Sequence, residues 1–324
     1  MHGNTRMKEC KYMDKPFESF ARQLKAIRKD IGLSQREVSE ATGVALRTLQ
    51  MIETGKVLPK IETLQYLSPA YKVNLIQLFS ETMISEPAMY YEFVKEVEWK
   101  IDQSDLSQLE KDIETVKKFI ETQTSEYYIL LLNQYKAILE SYAHIKKDSD
   151  YQKALEILIE GLKLTQPDYD LKQYEEYHYS PIEIRLLMNL ALVHWNLKKD
   201  EMYFDILKFL SDYVSENDNL YPKILYNLSN AYGRFGNHEK ELEYVSKSID
   251  AAIRLQSLKE LHFFYYTKAL AEYSLQDKNW KNSIRLALST CEAYKQEKMK
   301  ERFIYSAKAK FNMPIDDEGR ILNQ

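Results

Sequence analysis

The stretch from Gly43 to Lys56, GVALRTLQMIETGK, carries two side chains that can read a hydrogen-bonding pattern on a flat polar surface. Arg47 offers a planar fork of donors that suits guanine, and the Gln50 amide both donates and accepts, as adenine requires. Leu46 and Met51 lie on another face from the apolar core positions and offer contact to a thymine methyl group. These residue types suit base contacts, and the elements around the stretch decide whether it forms a helix that can enter a DNA groove.

The chain has none of the sequence patterns that usually signal catalysis or metal binding. Its 6 histidines are scattered, and no HExxH, GxSxG, P-loop or GxGxxG motif occurs. Cys10 and Cys291 lie outside any CxxC or Cys/His cluster. We therefore expect a protein that is not an enzyme and that needs no cofactor or metal.

Charge is distributed unevenly along the 324 residues. Residues 1–80 hold 13 Lys and Arg against 8 Asp and Glu, whereas the remainder holds 32 against 41. A basic head on an acidic body suggests a polyanion as the partner of the head. No apolar run of 18 residues and no signal-peptide segment occur, so we expect a cytoplasmic protein with no membrane partner.

The elements around the base-reading helix follow from local signals in residues 17–80. Helical spacing relates the apolar residues Phe17, Phe20, Leu24, Ile27 and Ile31 of the first predicted helix. Gly32 ends that helix, and Ser34 with Glu37 forms a capping-box pattern for the next one. Gly43 falls at the following turn, where a positive φ is needed. The pattern predicts two short helices that cross, with Val38, Val44, Leu49 and Ile52 between them.

Residues 17–80 resemble the lambda-repressor-like, Xre-type DNA-binding domain, a unit of five helices. The matching residues are Gln35, Gly43, Glu53, Gly55, Pro59 and the closing VNLIQLF, where Asn74 would cap the fifth helix. The resemblance implies that Arg28 pairs with Glu53 and holds the domain together. Two departures are Pro69 inside the fourth helix, where we expect a kink, and Lys72 in place of a glycine.

In such a domain the outward residues of the recognition helix meet base edges in the major groove. The outward positions here are Ala45, Leu46, Arg47, Gln50 and Met51. Gln35 would anchor a phosphate at the N terminus of the preceding helix, and Lys56 and Lys60 are further phosphate candidates. The alternative is a helix-turn-helix used only for protein packing, which Leu46 and Met51 would also suit.

Residues 81–88 are predicted to be a linker, and the sequence beyond them reads as helix after helix with internal repeats. Leu225 to Ile249 fits a tetratricopeptide unit, and Met188 to Leu210 aligns with it at an offset of 38 residues. Further copies are predicted at 266–288, 137–162 and, degenerate, 90–120, with a capping helix at 300–312. We predict an all-α chain with about five repeats over 89–312, between tails at 1–16 and 313–324.

The first helices of such repeats line a concave groove. Its candidate peptide-binding residues are Arg185, Asn189, Tyr226, Asn227, Asn230, Arg234 and Lys268, beside the further groove positions Met188, Leu192, Asn196, Tyr265 and Glu272. An asparagine can clamp an extended peptide backbone because it both donates and accepts, and the cations can bind carboxylates. The alternative is that the asparagines satisfy neighbouring repeats in an empty groove. The segment 168–181, acidic and rich in tyrosine, is predicted to be a loop.

The two parts together resemble the RRNPP family, the Rgg/PlcR/PrgX-type peptide-sensing regulators of Gram-positive bacteria, over about residues 17 to 312. The resemblance implies a homodimer that binds a palindromic double-stranded operator and an imported short signalling peptide that changes operator binding. Two alternatives remain at this point. One is an adaptor whose groove binds a partner protein, and the other is a plain repressor whose repeats only dimerise.

Overall fold

The computed structural model describes residues 14–83, 85–102, 105–123 and 125–322. Within these ranges the chain is helical, with one 3₁₀ segment and an isolated β-bridge between Ile315 and Ile321. The prediction of an all-α chain is confirmed. Among the described helices, none is both long and apolar enough to cross a membrane. The tail predicted at 1–16 lies outside the described ranges, except that residues 14–16 already belong to the first helix.

The chain divides into two compact units, residues 1–105 and 106–324. Its described residues form six helices in the first unit: α1 (Asp14–Asp30), α2 (Gln35–Thr42), α3 (Leu46–Glu53), α4 (Ile61–Tyr71), α5 (Leu75–Met83) and α6 (Ser85–Asp102). The segment 81–88, predicted to be a linker, is thus helical on both sides of residue 84. The division between the units falls later, after Asp105.

The helix boundaries of the first unit follow the predicted local signals. Ser34 accepts from the Glu37 amide while the Glu37 carboxylate accepts from the Ser34 amide, so the capping box is present. Gly43 has φ 73°, in the left-handed region that a glycine adopts freely. Asn74 caps α5 through a 3.0 Å bond from the Gln77 amide. Pro69 lies in the last turn of α4.

A single apolar core holds α1 to α5 together. Side chains from each of these helices are completely buried in it: Phe20, Leu24, Val38, Leu49, Ile52, Leu64, Leu67, Tyr71 and Leu75. The ring of Phe79 meets that of Phe20 edge to face at 4.9 Å between centroids. The core fixes which face of α3 is buried, and hence which face reaches solvent.

The second unit is a series of helices in antiparallel pairs. Its helices are α7 (Leu109–Thr122), α8 (Glu126–Asp148), α9 (Tyr151–Lys163), α10 (Pro181–Asn196), α11 (Asp200–Tyr213), α12 (Tyr221–Arg234), α13 (His238–Arg254), α14 (Leu261–Ser274), α15 (Trp280–Ala293) and α16 (Glu297–Phe311). The pairs α8/α9, α10/α11, α12/α13 and α14/α15 correspond to four predicted repeats, and α16 corresponds to the capping helix. The predicted pair at 90–120 is divided, because α6 belongs to the first unit and α7 to the second.

A left-handed residue ends the first helix of each of these four pairs. These residues are Ser149, Lys198, Gly236 and Gln276, with φ between 53° and 76°. Counting back from these turns gives equivalent positions in the repeats. Asn189 and Asn227 are equivalent on this count, as the sequence alignment predicted, and Thr267 is their counterpart in α14.

Two segments that were predicted to be a loop (168–181) and a tail (313–324) are folded where the structure describes them. Residues 164–180 contain a 3₁₀ segment (Leu171–Glu176) and the buried rings of Tyr169, Tyr174 and Tyr179. The rings of Tyr174 and Tyr179 pack against that of Phe209. Residues 313–322, predicted to be a tail, instead turn back onto α15 and α16. Met313 and Ile315 are buried there at 3% and 2% exposure, since they extend the last apolar core.

Candidate functional site

Helix α3 presents the predicted base-reading residues to solvent. Leu49 and Ile52 are fully buried on its inner face, so the opposite face is set by helical periodicity. Ala45, Leu46, Arg47 and Gln50 are exposed, and Met51 is half-buried. Arg47 has no hydrogen bond or ion pair within the described ranges, and its guanidinium is therefore available to a ligand.

The C-terminal end of α3 is fixed by a buried carboxylate, Glu53. Arg28 donates two hydrogen bonds to it, from Nε to Oε1 at 2.6 Å and from Nη2 to Oε2 at 2.8 Å. Gln35 Nε2 donates at 2.7 Å and the Tyr71 hydroxyl at 3.2 Å. The implied Arg28–Glu53 pair is confirmed, and the bonds from Arg28, Gln35 and Tyr71 together tie α1, α2 and α4 to α3.

The electrostatics of this cluster favour the ionised form of Glu53. Burial acts to raise the Glu53 pKa, but the hydrogen bonds and charge of Arg28, with the bonds from Gln35 and Tyr71, outweigh it. The pKa of Glu53 is therefore held below its ordinary value. Burial and the neighbouring Glu53 charge raise the pKa of Tyr71, so its hydroxyl stays a donor.

Gln35 lies at the start of α2, but its side chain is used inside the domain. Its amide nitrogen donates to Glu53, and the side chain is only half-exposed. The predicted phosphate contact through this side chain would compete with that bond. Lys56 and Lys60, also predicted to contact phosphates, are exposed beyond α3 and form no ion pair among the described residues.

We use the term groove for the surface formed by the first helices of the four pairs, α8, α10, α12 and α14. Asn189 on α10 is already satisfied there: its Oδ1 accepts from the Tyr142 hydroxyl at 2.7 Å and its Nδ2 donates to the Arg185 carbonyl at 2.8 Å. It is 8% exposed. The Asn189 side chain therefore links α8 to α10. This agrees with the alternative hypothesis, in which the groove asparagines bond to neighbouring repeats.

The two asparagines of α12 differ from one another. Asn230 Oδ1 accepts from Thr267 Oγ1 at 3.3 Å, which links α12 to α14. Tyr226 packs its ring against Phe264 at 4.9 Å, and burial raises its pKa. Asn227 is half-exposed, and no hydrogen bond engages its side chain within the described ranges. Within the described residues, both the oxygen and the nitrogen of the Asn227 side chain are thus open to a ligand.

The predicted cations of the groove have different surroundings. The guanidinium of Arg234 lies over the Trp195 ring at 4.5 Å and near Tyr203 at 5.7 Å, in cation–π geometry, while the side chain stays exposed. Arg185 is half-buried. Lys268 lies 4.0 Å from the buried carboxylate of Glu272, and counted from the turns it is one residue beyond the position equivalent to Asn227.

Sequence reasoning missed several residues of this surface. Tyr142, Thr267 and Trp195 each contact a predicted groove residue, and Lys136 and Lys223 stand at positions equivalent to Arg185. Aligning the copies by their left-handed turns would have found Lys223 and Thr267. The contacts of Tyr142 and Trp195 depend on how neighbouring helix pairs pack against each other. The sequence of one repeat alone does not predict this packing.

Residues 24–78 match the family model described as "HTH_3: Helix-turn-helix". The same region is similar to the HTH-type transcriptional regulator PuuR of Escherichia coli (strain K12), with 42% identity over 60 residues. The aligned region is 18% of this chain and 32% of PuuR, so the similarity spans about a third of that relative.

Solved structures that are similar in fold to most of the chain include PlcR and ComR. PlcR of Bacillus thuringiensis, in complex with the peptide PapR7 and DNA, gives a TM-score of 0.67 at 18% identity, covering 88% of this chain and 99% of PlcR. ComR of S. thermophilus, in complex with DNA and its signalling peptide ComS, gives 0.60 at 16% identity, covering 90% and 99%. The fold is therefore a helix-turn-helix domain followed by a helical repeat superhelix, as predicted.

Proposed function

We propose that this chain is a DNA-binding transcription regulator whose repeat domain binds a short signalling peptide that alters operator binding. The observation that carries the proposal is the pairing of an exposed, rigidly held recognition helix with a repeat fold like that of PlcR and ComR, which were both crystallised with peptide and DNA. The helix-turn-helix family and this fold are those of transcription regulators, in line with the prediction that the chain is not an enzyme.

DNA reading would be carried by α3. Arg47 would contact guanine through two hydrogen bonds, and Gln50 would contact adenine. Leu46 and Met51 would supply apolar contacts, and the exposed Lys56 and Lys60 would contact phosphates. Because the Glu53 cluster fixes α3 from three sides, the helix is pre-organised and loses little freedom on binding.

The regulator would act as a cytoplasmic homodimer on a palindromic operator. Half-sites lie about 34 Å apart, or a multiple of that, so a modest change in the spacing of two heads can switch operator affinity. The two strong polar readers on α3 provide limited discrimination per half-site. A dimer that engages both half-sites would supply the remaining specificity.

Peptide sensing would centre on Asn227, whose amide can both donate to and accept from a peptide backbone. One set of observations favours the plain repressor as a second candidate. Asn189 and Asn230 are bound to Tyr142 and Thr267 of neighbouring helices, which suits a groove that only supports the fold. The two candidates differ in whether a short peptide binds and moves operator affinity.

Two variants separate the reader from the sensor. Operator sequences are first selected from random duplex DNA with the full chain, and peptide binding is followed by calorimetry. Arg47→Ala should lose operator discrimination and keep peptide binding, because Arg47 is exposed and forms no hydrogen bond or ion pair among the described residues. Asn227→Ala should weaken peptide binding and keep operator discrimination in the absence of peptide. If each variant loses both activities, the division into reader and sensor is wrong.

A further inference from the structure

Two polar side chains of α12, Asn227 and Arg234, form no hydrogen bond or ion pair among the described residues. They are seven residues apart, just under two helical turns, so they lie on nearly the same side of α12. Asn230, between them on that side, accepts from Thr267 Oγ1 and ties α12 to α14. The two open side chains therefore share one face of α12, about 10.5 Å apart along the helix axis.

Aromatic rings fix the position of the Arg234 guanidinium. Its Cζ atom lies 4.5 Å from the centroid of the Trp195 ring and 5.7 Å from that of the Tyr203 ring. Phe235, which is 51% exposed, meets the same Trp195 ring edge to face at 6.3 Å between centroids. A guanidinium that lies over a ring keeps its N–H donors free along its edge, and this fork of donors fits a carboxylate through two parallel hydrogen bonds.

The surroundings of Arg234 favour an anion from outside the chain. From residue 81 onward the chain has 41 Asp and Glu against 32 Lys and Arg, yet none of the described carboxylates pairs with this guanidinium. The rings of Trp195 and Phe235 exclude water beside it, which reduces the screening of its charge by solvent. The contact with Trp195 also joins α12 to α10, so the guanidinium lies where two first helices of the groove meet.

We propose that Arg234, stacked on Trp195, binds the C-terminal carboxylate of the peptide, while Asn227 clamps the peptide backbone about three residues before that end. The spacing follows from the helix: an extended chain advances about 3.3 to 3.6 Å per residue, so about three residues cover the axial distance between the two side chains. The two contacts would together fix the direction of the peptide along α12. The inference rests on the proposed peptide-binding function and names the end of the peptide that is recognised.

The experiment uses the full chain and two pools of random heptapeptides, one with a free C-terminal carboxylate and one with a C-terminal amide. Immobilised protein is incubated with each pool, washed and eluted, and the retained peptides are quantified and sequenced by mass spectrometry. Wild type should retain at least fivefold more of the carboxylate pool, although non-specific attraction to an acidic domain would favour the amide pool. Arg234→Gln should lose this preference. The matched control Arg285→Gln, with the same charge change at an exposed residue of α15, should keep it.

The outcomes separate the inference from the proposed function. Equal retention of the two pools, or a preference that Arg234→Gln keeps, would overturn the inference and leave peptide sensing intact. Equal retention with Asp and Glu enriched in both pools would assign the carboxylate to a side chain and also overturn it. If wild type retains neither pool, peptide sensing and the inference both fail.

A measurement on wild type alone guards against misfolding of the variant. One retained sequence is synthesised as the free acid and as the C-terminal amide, and both are titrated into the full chain by calorimetry. The acid should bind at least fivefold more tightly, because only its C terminus carries the charge that Arg234 would pair with. Equal affinities of the two forms would contradict the contact.

Discussion

We predict that His194 makes the stability of the repeat domain depend on pH. Its side chain is 2% exposed, and neither ring nitrogen has a hydrogen-bond partner within the described ranges. Burial, with a smaller effect of Lys199, lowers its pKa from 6.5 to about 4. Between pH 6.5 and pH 4, His194 is therefore protonated in the unfolded chain and neutral in the folded chain.

The sign and size of the effect follow from that difference. The stabilisation by neutral His194 is complete above pH 6.5, and it is lost as the pH falls toward 4. Between pH 7.5 and 5.0 the loss is about 2 kcal/mol of the free energy of unfolding, from about 1.4 kcal/mol per unit of pKa difference. His194→Phe keeps a ring of similar size and should remove this part of the pH dependence.

The assay is urea unfolding at the two pH values, followed by tryptophan fluorescence, since Trp195 and Trp280 lie in the repeat unit. Wild type should lose about 2 kcal/mol more than His194→Phe on going from pH 7.5 to pH 5.0. His178→Phe, at an exposed histidine, serves as the control and should lose as much as wild type. An equal loss in wild type and His194→Phe would show that the buried ring is protonated in the native state and refute the reasoning.

Three further predictions concern stability and are checked by urea unfolding. Lys72→Gly should stabilise the first unit by up to about 1 kcal/mol, because Lys72 has φ 54° and glycine adopts this region without strain; no gain would mean that the lysine is not strained. Glu53→Gln should destabilise it by about 3 kcal/mol, because Arg28 would stay buried without its counter-charge, and a loss below about 1 kcal/mol would contradict the role of the pair. Gly233→Ala should cost up to about 2 kcal/mol, because its Cβ would lie 2.4 Å from the buried Glu241 carboxylate and displace it from His238, which outweighs a gain of about 1 kcal/mol in helix propensity; a net gain in stability would contradict this packing.

Local sequence signals were sufficient for most of the first unit. A capping box at Ser34, a glycine at the Gly43 turn and apolar residues at helical spacing each act over a few residues, so their outcome can be read from the chain. The Arg28–Glu53 pair joins residues 25 positions apart and came only from the resemblance. Nothing in the sequence showed that Gln35 would also donate to Glu53.

The groove was less predictable, because its polar groups are satisfied between neighbouring helices. Asn189 reads as a free amide until Tyr142, 47 residues away, is placed beside it. Lys268 was chosen by its chemistry, but the turn at Gln276 places Thr267 at the position equivalent to Asn227. The folded segment after residue 312 also depends on contacts with α15 and α16, which are invisible in a short and partly polar sequence.

The most direct test of the proposed function measures the operator affinity of the full chain in the absence and in the presence of a short peptide that binds to the chain in calorimetry. Fluorescence anisotropy with a labelled selected operator gives both dissociation constants under the same salt conditions. A peptide concentration that just saturates wild type should change its operator affinity at least fivefold, and should change that of Asn227→Ala less, because this variant binds the peptide more weakly. An operator affinity that is the same with and without bound peptide in wild type would contradict the coupling of groove and recognition helix.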